Sequence, residues 1–381
     1  MASKILRSAI MAAFFMAAQA SAAMAAAYVI TPQQETSLLA YIMDTNQVQK
    51  GMAGVEPVAE IQDNLMKDNG GIPRKEHGVV TAERALQPAQ VVDAWIPNAF
   101  TFPDGLISFS QGLVEDASFN YVSTRYDNFD DPYFSVYGKS RIASVFAHEL
   151  GHWEKNDYLD SLASLDIDRE DHKRKQEMLS NSDWEHIEEE LMNQHEDLSP
   201  KSRKKVEAHS LQREFEADKN SVRFLRNSEE YSPGSLIYFL EKHSLSDEQE
   251  ASIAGSDDTI APHPPTKERN QKMKRHIKNL SGGRVSLKED DRLMLDSELL
   301  CGSGFAEASH GVDMNERTLF LAGQLAKAAS MRMRDTETVL DGGYSRLYAR
   351  GNGKRFLLCF LKNGDMKDAE MERQIRNFLS K

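Results

Sequence analysis

Apolar residues recur along most of this chain at the three- and four-residue spacing of helices, and alternate in only a few short stretches. Leu38, Leu39 and Ile42 share one side of a segment that opens at Thr31, and Val58, Ile61, Leu65 and Met66 form the stripe of a second, so helices are predicted across 31–69. Asn69-Gly70-Gly71-Ile72-Pro73 breaks the period. Val79-Val80-Thr81 and Val91 to Trp95 then read as strands. Asn98 to Phe102 and Leu106 to Phe109 flank Pro103-Asp104-Gly105, where proline fixes one φ and glycine admits a positive one; this predicts a hairpin.

Helical spacing returns with Ile142, Phe146, Leu150 and Trp153, predicting a helix over 140–157. In the charged stretch that follows, Ser182 and Glu185 have the spacing of a capping box that opens a helix with Trp184, Ile187 and Leu191 as its apolar stripe. A helix is predicted over 206–226 from Leu211, Phe215, Val222 and Leu225. A short apolar helix follows Ser232-Pro233, and Thr266 stands where it can cap a basic helix. Gly282-Gly283 marks a boundary. Beyond it the pattern predicts a helix, a hairpin around Gly351-Asn352-Gly353, and a last helix from about Lys367. The fold class is therefore α+β and mainly helical, with a small antiparallel sheet and a small C-terminal α/β unit. Residues 27–281 are the main domain and 282–381 an accessory one.

Charge and composition narrow the partners. A formal net charge of −13 over 381 residues argues against nucleic acid, whose phosphates need a basic face. Lys4 and Arg7 precede an apolar stretch from Ala9 to Ala18, and small residues at 20–22 and 23–25 satisfy a small-x-small cleavage rule. Residues 1–26 thus read as a signal peptide cut near Ala25 or Ala27. An uncleaved anchor is the competing reading, because no charge falls between Ser8 and Gln34, although the Ala-rich stretch is weakly apolar for a spanning helix. The expected setting is a bacterial periplasm, with an N-terminally anchored or a secreted form as alternatives. In an exported protein Cys301 and Cys359 could form a disulfide or remain two buried thiols.

The chemistry concentrates in His148-Glu149-Leu150-Gly151-His152. Helix positions four apart lie one above the other, so both imidazoles reach one ion, and Glu149 points beside it, where it can take a proton from an activated water. A catalytic zinc usually has three protein ligands and an open fourth place. Glu214, in Arg213-Glu214-Phe215-Glu216-Ala217-Asp218, is the candidate third ligand; Glu216 falls off that face and is rejected. Asp218 is placed to accept the spare ring N–H of a metal-bound histidine. On the residues alone, a solvated helix face is the better reading of Glu214.

Taken in order, the Asn-Ala-Phe hairpin, the HELGH helix, the Glu-x-x-x-Asp of REFEAD and the later His-Pro-Pro-Thr-x-x-Arg resemble the HtpX-like and CAAX-prenyl-protease family of zinc metallopeptidases, a gluzincin arrangement, over about Thr31 to Leu280. The resemblance implies one zinc ion per chain, held by His148, His152 and Glu214, with Glu149 as general base and acid. It implies that His263 approaches the metal from a loop stiffened by Pro262, Pro264 and Pro265, steadying the oxyanion or closing the fourth zinc position. It implies that Arg269 braces that loop or binds substrate backbone, and that Asn98 opens a strand lining the cleft. The expected function is hydrolysis of peptide bonds in unfolded or mislocalised envelope proteins, with polypeptides as substrates and envelope or membrane-associated proteins as partners. A chaperone or assembly factor with a latent, self-blocked zinc site is the alternative, and a purely structural metal is a third reading.

Overall fold

The computed structural model describes residues 52–53, 57–71, 86–92, 98–101, 105–120, 125–126, 134–155, 157, 200–242, 266–300 and 313–381. The expected N-terminal leader, the strand expected at 79–81, the helix expected after Ser182, His263 with its neighbouring prolines, and Cys301 lie outside them.

A buried helix organises the rest. α3 (Phe134–Lys155) follows α1 (Val58–Asp68) and α2 (Gln111–Ser118), and it packs against both. It begins six residues before the helix expected from the sequence, because Val136 and Tyr137 extend its apolar surface towards the C-terminal unit. Nearly every described side chain from Tyr137 to Glu154 is buried, so the helix has neighbours on all sides, and its polar groups need partners there. Ser140 shares a hydrogen bond with Ser235 at 2.8 Å, and Ser144 donates to the Arg141 carbonyl at 2.7 Å.

Ahead of α3 lies a sheet with strand order β1-β2-β4-β3, formed by Met52–Ala53, Gln90–Val92, Ile107–Ser110 and Ala99–Thr101. The expected hairpin is present: β3 and β4 pair antiparallel, Thr101 opposite Ile107, and Gly105 takes φ +88 in the connection. β3 bonds to β4 on one side only among the described residues, which leaves it at the sheet's edge against α3. A two-stranded ribbon of β5 (Phe119–Asn120) and β6 (Arg125–Tyr126) follows α2.

The second long helix, α4 (Pro200–Arg226), lies along α3. One residue sets how closely. A Cβ built on Gly151 of α3 would stand 2.9 Å from the Ala217 Cα of α4, so only glycine lets the two backbones meet there. A short helix α5 (235–242) and the basic helix α6 (Thr266–Leu280) complete this part.

Past Gly282 and Gly283, which take φ +64 and +88, the chain makes a three-stranded meander of β7 (Val285–Leu287), β8 (Leu293–Leu295) and β9 (Glu298–Leu299), where a helix had been expected directly. The expected helix comes next as α7 (Met314–Ser330), capped by the Asp313 carboxylate, which accepts from the Asn315 N–H. A sheet of order β10-β11-β12 follows, from Asp335–Asp341, Tyr344–Gly351 and Lys354–Lys362, with α8 (Met366–Ser380) last. The hairpin expected around Gly351-Asn352-Gly353 turns on Asn352 and Gly353, with φ +52 and +75, the two positive values of a type I′ turn. Cys359 is a free thiol buried in this sheet.

The apolar core runs without a break from the first unit into the second. The turn at 232–235 beds directly on α7: a Cβ on Gly234 would stand 1.8 Å from the Leu319 carbonyl oxygen, and Ser232 Oγ donates to the Phe320 carbonyl at 2.7 Å. Lys327 donates to the carbonyls of Ser228 and Tyr231 and to Gln324 Oε1 at 2.5–2.7 Å, three acceptors for three ammonium hydrogens. Arg141 of α3 pairs with Glu316 of α7 at 2.8 Å, both buried. Among the described residues, no helix is long and apolar enough to cross a membrane.

Candidate metal centre

His148 and His152 leave α3 one turn apart, with rings edge to face at 85° and centroids 4.7 Å apart. Their Nε2 atoms are 3.1 Å from each other. Glu214, from the neighbouring α4, meets both: Oε2 lies 3.4 Å from His148 Nε2 and Oε1 lies 3.4 Å from His152 Nε2. Ligand atoms set tetrahedrally at about 2.0–2.1 Å from one zinc lie roughly 3.3–3.4 Å from one another, so these spacings suit such an ion. Among the described residues, this trio is the group able to hold a metal.

The backs of both rings are also held. His148 Nδ1 lies 2.9 Å from Asp218 Oδ1, and His152 Nδ1 lies 2.8 Å from Asp157 Oδ2. A carboxylate on Nδ1 places the ring proton there and turns the lone pair of Nε2 towards the trio's centre. Two lone pairs facing each other at 3.1 Å repel unless a positive charge stands between them. Burial by itself would pull both imidazoles below the ordinary histidine pKa; for His148 the bonds to Asp218 and Glu214 outweigh it and raise the value. For His152 burial is outweighed further by Asp157 and Glu214, and its pKa is well above the ordinary value.

Glu149, Asp157, Glu214 and Asp218 are buried carboxylates, and Arg213 and Arg269 are the buried guanidiniums beside them. Arg269, on α6, grips Asp218 with a fork, Nε to Oδ2 at 2.9 Å and Nη2 to Oδ1 at 2.7 Å, and places Nη1 3.3 Å from Glu214 Oε2. Burial pushes the Asp218 carboxyl up, but the Arg269 charge overrides it and holds the value down to about 2. Arg213 Nη1 donates to the Asp157 carbonyl at 2.9 Å, which fixes the segment that presents the Asp157 carboxylate.

His148, His152 and Glu214 are thus brought together, with Asp218 at the back of His148 as expected. Glu149 is 5% exposed and accepts from Thr101. Glu216 stays outside the trio, bonded to Gln212. Asn98 opens the edge strand with its backbone tied to Ser110, N–H to Oγ at 2.8 Å and carbonyl to N–H at 2.9 Å. Arg269 is 4% exposed and committed to Asp218 and Glu214. Asp157, Thr101 and Gly151 were not foreseen from the sequence; the one available signal was a carboxylate five residues after His152.

The family model for peptidase family M48 matches residues 74–277, more than half of the chain. The chain belongs to peptidase family M48. This family match agrees with the resemblance carried by HELGH, REFEAD and HPPTKER, and every member of the metal trio falls inside it. The M48 chain is a metal-dependent peptidase, and its His-His-Glu cluster is the candidate zinc site. Comparison with curated proteins returns no match.

Proposed function

We propose that this M48 peptidase is a zinc-dependent endopeptidase in which His148, His152 and Glu214 hold the ion, Glu149 handles the protons, and an extended polypeptide docks along β3. The observation that carries the proposal is the meeting of two Nε2 atoms and one carboxylate at 3.1–3.4 Å, each imidazole backed by its own carboxylate. Zinc, when bound in such a trio, supplies a Lewis acid that activates water and polarises the scissile carbonyl.

The protein's own residues do the rest. A Glu149 oxygen takes the proton from the attacking water and passes it to the leaving amine nitrogen. Asp218 and Asp157 hold the imidazoles in one tautomer and orientation, and Arg269 keeps Asp218 ionised. The side of β3 away from β4, where no described strand pairs, would take an extended chain beside the HELGH helix. Asn98 fixes the start of that strand through Ser110. His263, in its proline-rich loop, would steady the oxyanion.

Edge pairing reads backbone, so it favours unfolded segments over folded ones. With the basic-then-apolar leader at 4–25, this supports unfolded or mislocalised envelope proteins as the substrate class and the periplasm as the setting. The test is cleavage of unfolded casein by the zinc-loaded chain and by Glu149→Gln. A loss of at least about a hundredfold in the variant, with zinc content unchanged, is expected. Equal rates would remove Glu149 from the chemistry.

A further inference from the structure

The hydroxyl of Thr101 lies 2.8 Å from Glu149 Oε2 and 2.9 Å from the Glu149 backbone carbonyl. It has one hydrogen to give, and both acceptors belong to the same residue, so either bond clamps Glu149 to the strand. Thr101 is the last residue of β3, the edge strand, and pairs inward with Ile107 of β4. From these contacts we infer that Thr101 is a positioning residue for Glu149 and couples the peptide-docking edge to the proton-transferring carboxylate; the inference rests on the roles proposed above for Glu149 and β3.

The physical need is clear from the surroundings. Glu149 has three side-chain torsions, and its charge is felt by the buried Arg269 guanidinium. Unheld, the carboxylate can turn away from the water it must deprotonate. The Thr101 hydroxyl engages Oε2, which leaves Oε1 to receive a proton. A carboxylate has acceptor sites enough for both. A peptide adding to the outer side of β3 bears on the same residue, so docking and alignment of the base occur together. A hydroxyl that merely completed the helix carbonyl's bonding would leave the turnover number alone.

The test uses the zinc-loaded full chain with Thr101→Val, which keeps the shape and removes the hydroxyl, and Thr101→Ser, which keeps the hydroxyl. Two readouts are taken: kcat and KM on labelled unfolded casein, and calorimetric affinity for a peptide hydroxamate, whose O–H proton passes to the same carboxylate. Thr101→Val should lower kcat about tenfold with KM unchanged and weaken hydroxamate binding by about the same factor. Thr101→Ser should recover most of both. Thr101→Val matching the wild type in kcat and hydroxamate affinity would overturn the inference, and so would Thr101→Ser falling as far as Thr101→Val. If the wild type leaves casein intact while the hydroxamate series behaves as expected, the substrate reading fails and the role of Thr101 stands.

Discussion

Asp218 holds His148 through the back of its ring, Oδ1 to Nδ1 at 2.9 Å, and the same oxygen takes the Arg269 Nη2–H at 2.7 Å. A candidate ligand histidine is thereby tied through one carboxylate to a third helix, α6, which adds no member to the trio. The orientation of His148 depends on both links. Asp218→Asn leaves an amide that is a weaker acceptor for the ring and the guanidinium, and zinc affinity should fall about 10- to 100-fold. Competition with a coloured chelator measures this; an unchanged affinity would show that His148 needs no such support.

Arg269→Met removes the guanidinium and leaves Asp218 and Glu214 as buried carboxylates, 0% and 2% exposed, without their cation. Breaking one side of such a buried network costs about 3–5 kcal/mol. Urea unfolding of the metal-free protein should show a loss of that size. A change within error would mean that water reaches these carboxylates.

Gly151→Ala is a test of spacing. The added methyl would stand 2.9 Å from the Ala217 Cα and 3.1 Å from its carbonyl oxygen, so the helix carrying the histidines must move away from the helix carrying Glu214. Overpacking of this kind costs about 1–3 kcal/mol, and weaker zinc binding should accompany it because the trio spans the same two helices. A normal melting temperature with normal zinc affinity would refute the close-approach argument.

The two histidines were legible in the sequence because they repeat at helical spacing, whereas Glu214 read first as a solvated helix face and joined them only through the resemblance carried by REFEAD. His148 and His152 are four apart, as are Glu214 and Asp218, and helix geometry aligns each pair without knowledge of the fold. What joins the two pairs was not legible. Gly151 acquires meaning only against Ala217, Thr101 follows the Asn-Ala-Phe run without being part of it, and Asp157 stands at no ligand spacing from either histidine. The C-terminal elements divide in the same way. Asn352-Gly353 announces its turn, whereas β10, polar through Asp335-Thr336-Glu337-Thr338, becomes a strand only by pairing with β11. The meander strands are only two or three residues long, too short to establish a period.

Gly234→Ala tests how deeply the C-terminal unit is built into the peptidase. Its Cβ would meet the Leu319 carbonyl oxygen at 1.8 Å, a contact with backbone that cannot be relieved by rotating a side chain. The variant should be strongly destabilised or insoluble. Gly343→Ala, with nothing within 4 Å of its Cβ, is the control expected to fold. A stable Gly234→Ala would mean that α7 separates freely from the turn at 232–235.

Glu316 sets a pH dependence. Burial raises its carboxyl pKa from 4.5 to about 7, against the pull of Arg141, with Asp313 and Asp116 adding to the rise and Lys242 opposing it. The folded state therefore holds this proton more tightly than the unfolded chain. The stabilisation is full below about pH 4.5 and is lost as pH rises through about 7. Between pH 5 and 8 the urea midpoint of the wild type should fall by more than that of Glu316→Gln; parallel declines would remove Glu316 as the source.

The central claim is that two helices deliver His148, His152 and Glu214 to one zinc ion. A crystal structure of the zinc-loaded chain, with the ion located by anomalous scattering at the zinc edge, tests it most directly. The account predicts one ion bound by the Nε2 atoms of both histidines at about 2.0–2.1 Å and by a Glu214 oxygen at about 2.0–2.2 Å. An ion lodged elsewhere, or one bound by the histidines with Glu214 outside its coordination sphere, would contradict it.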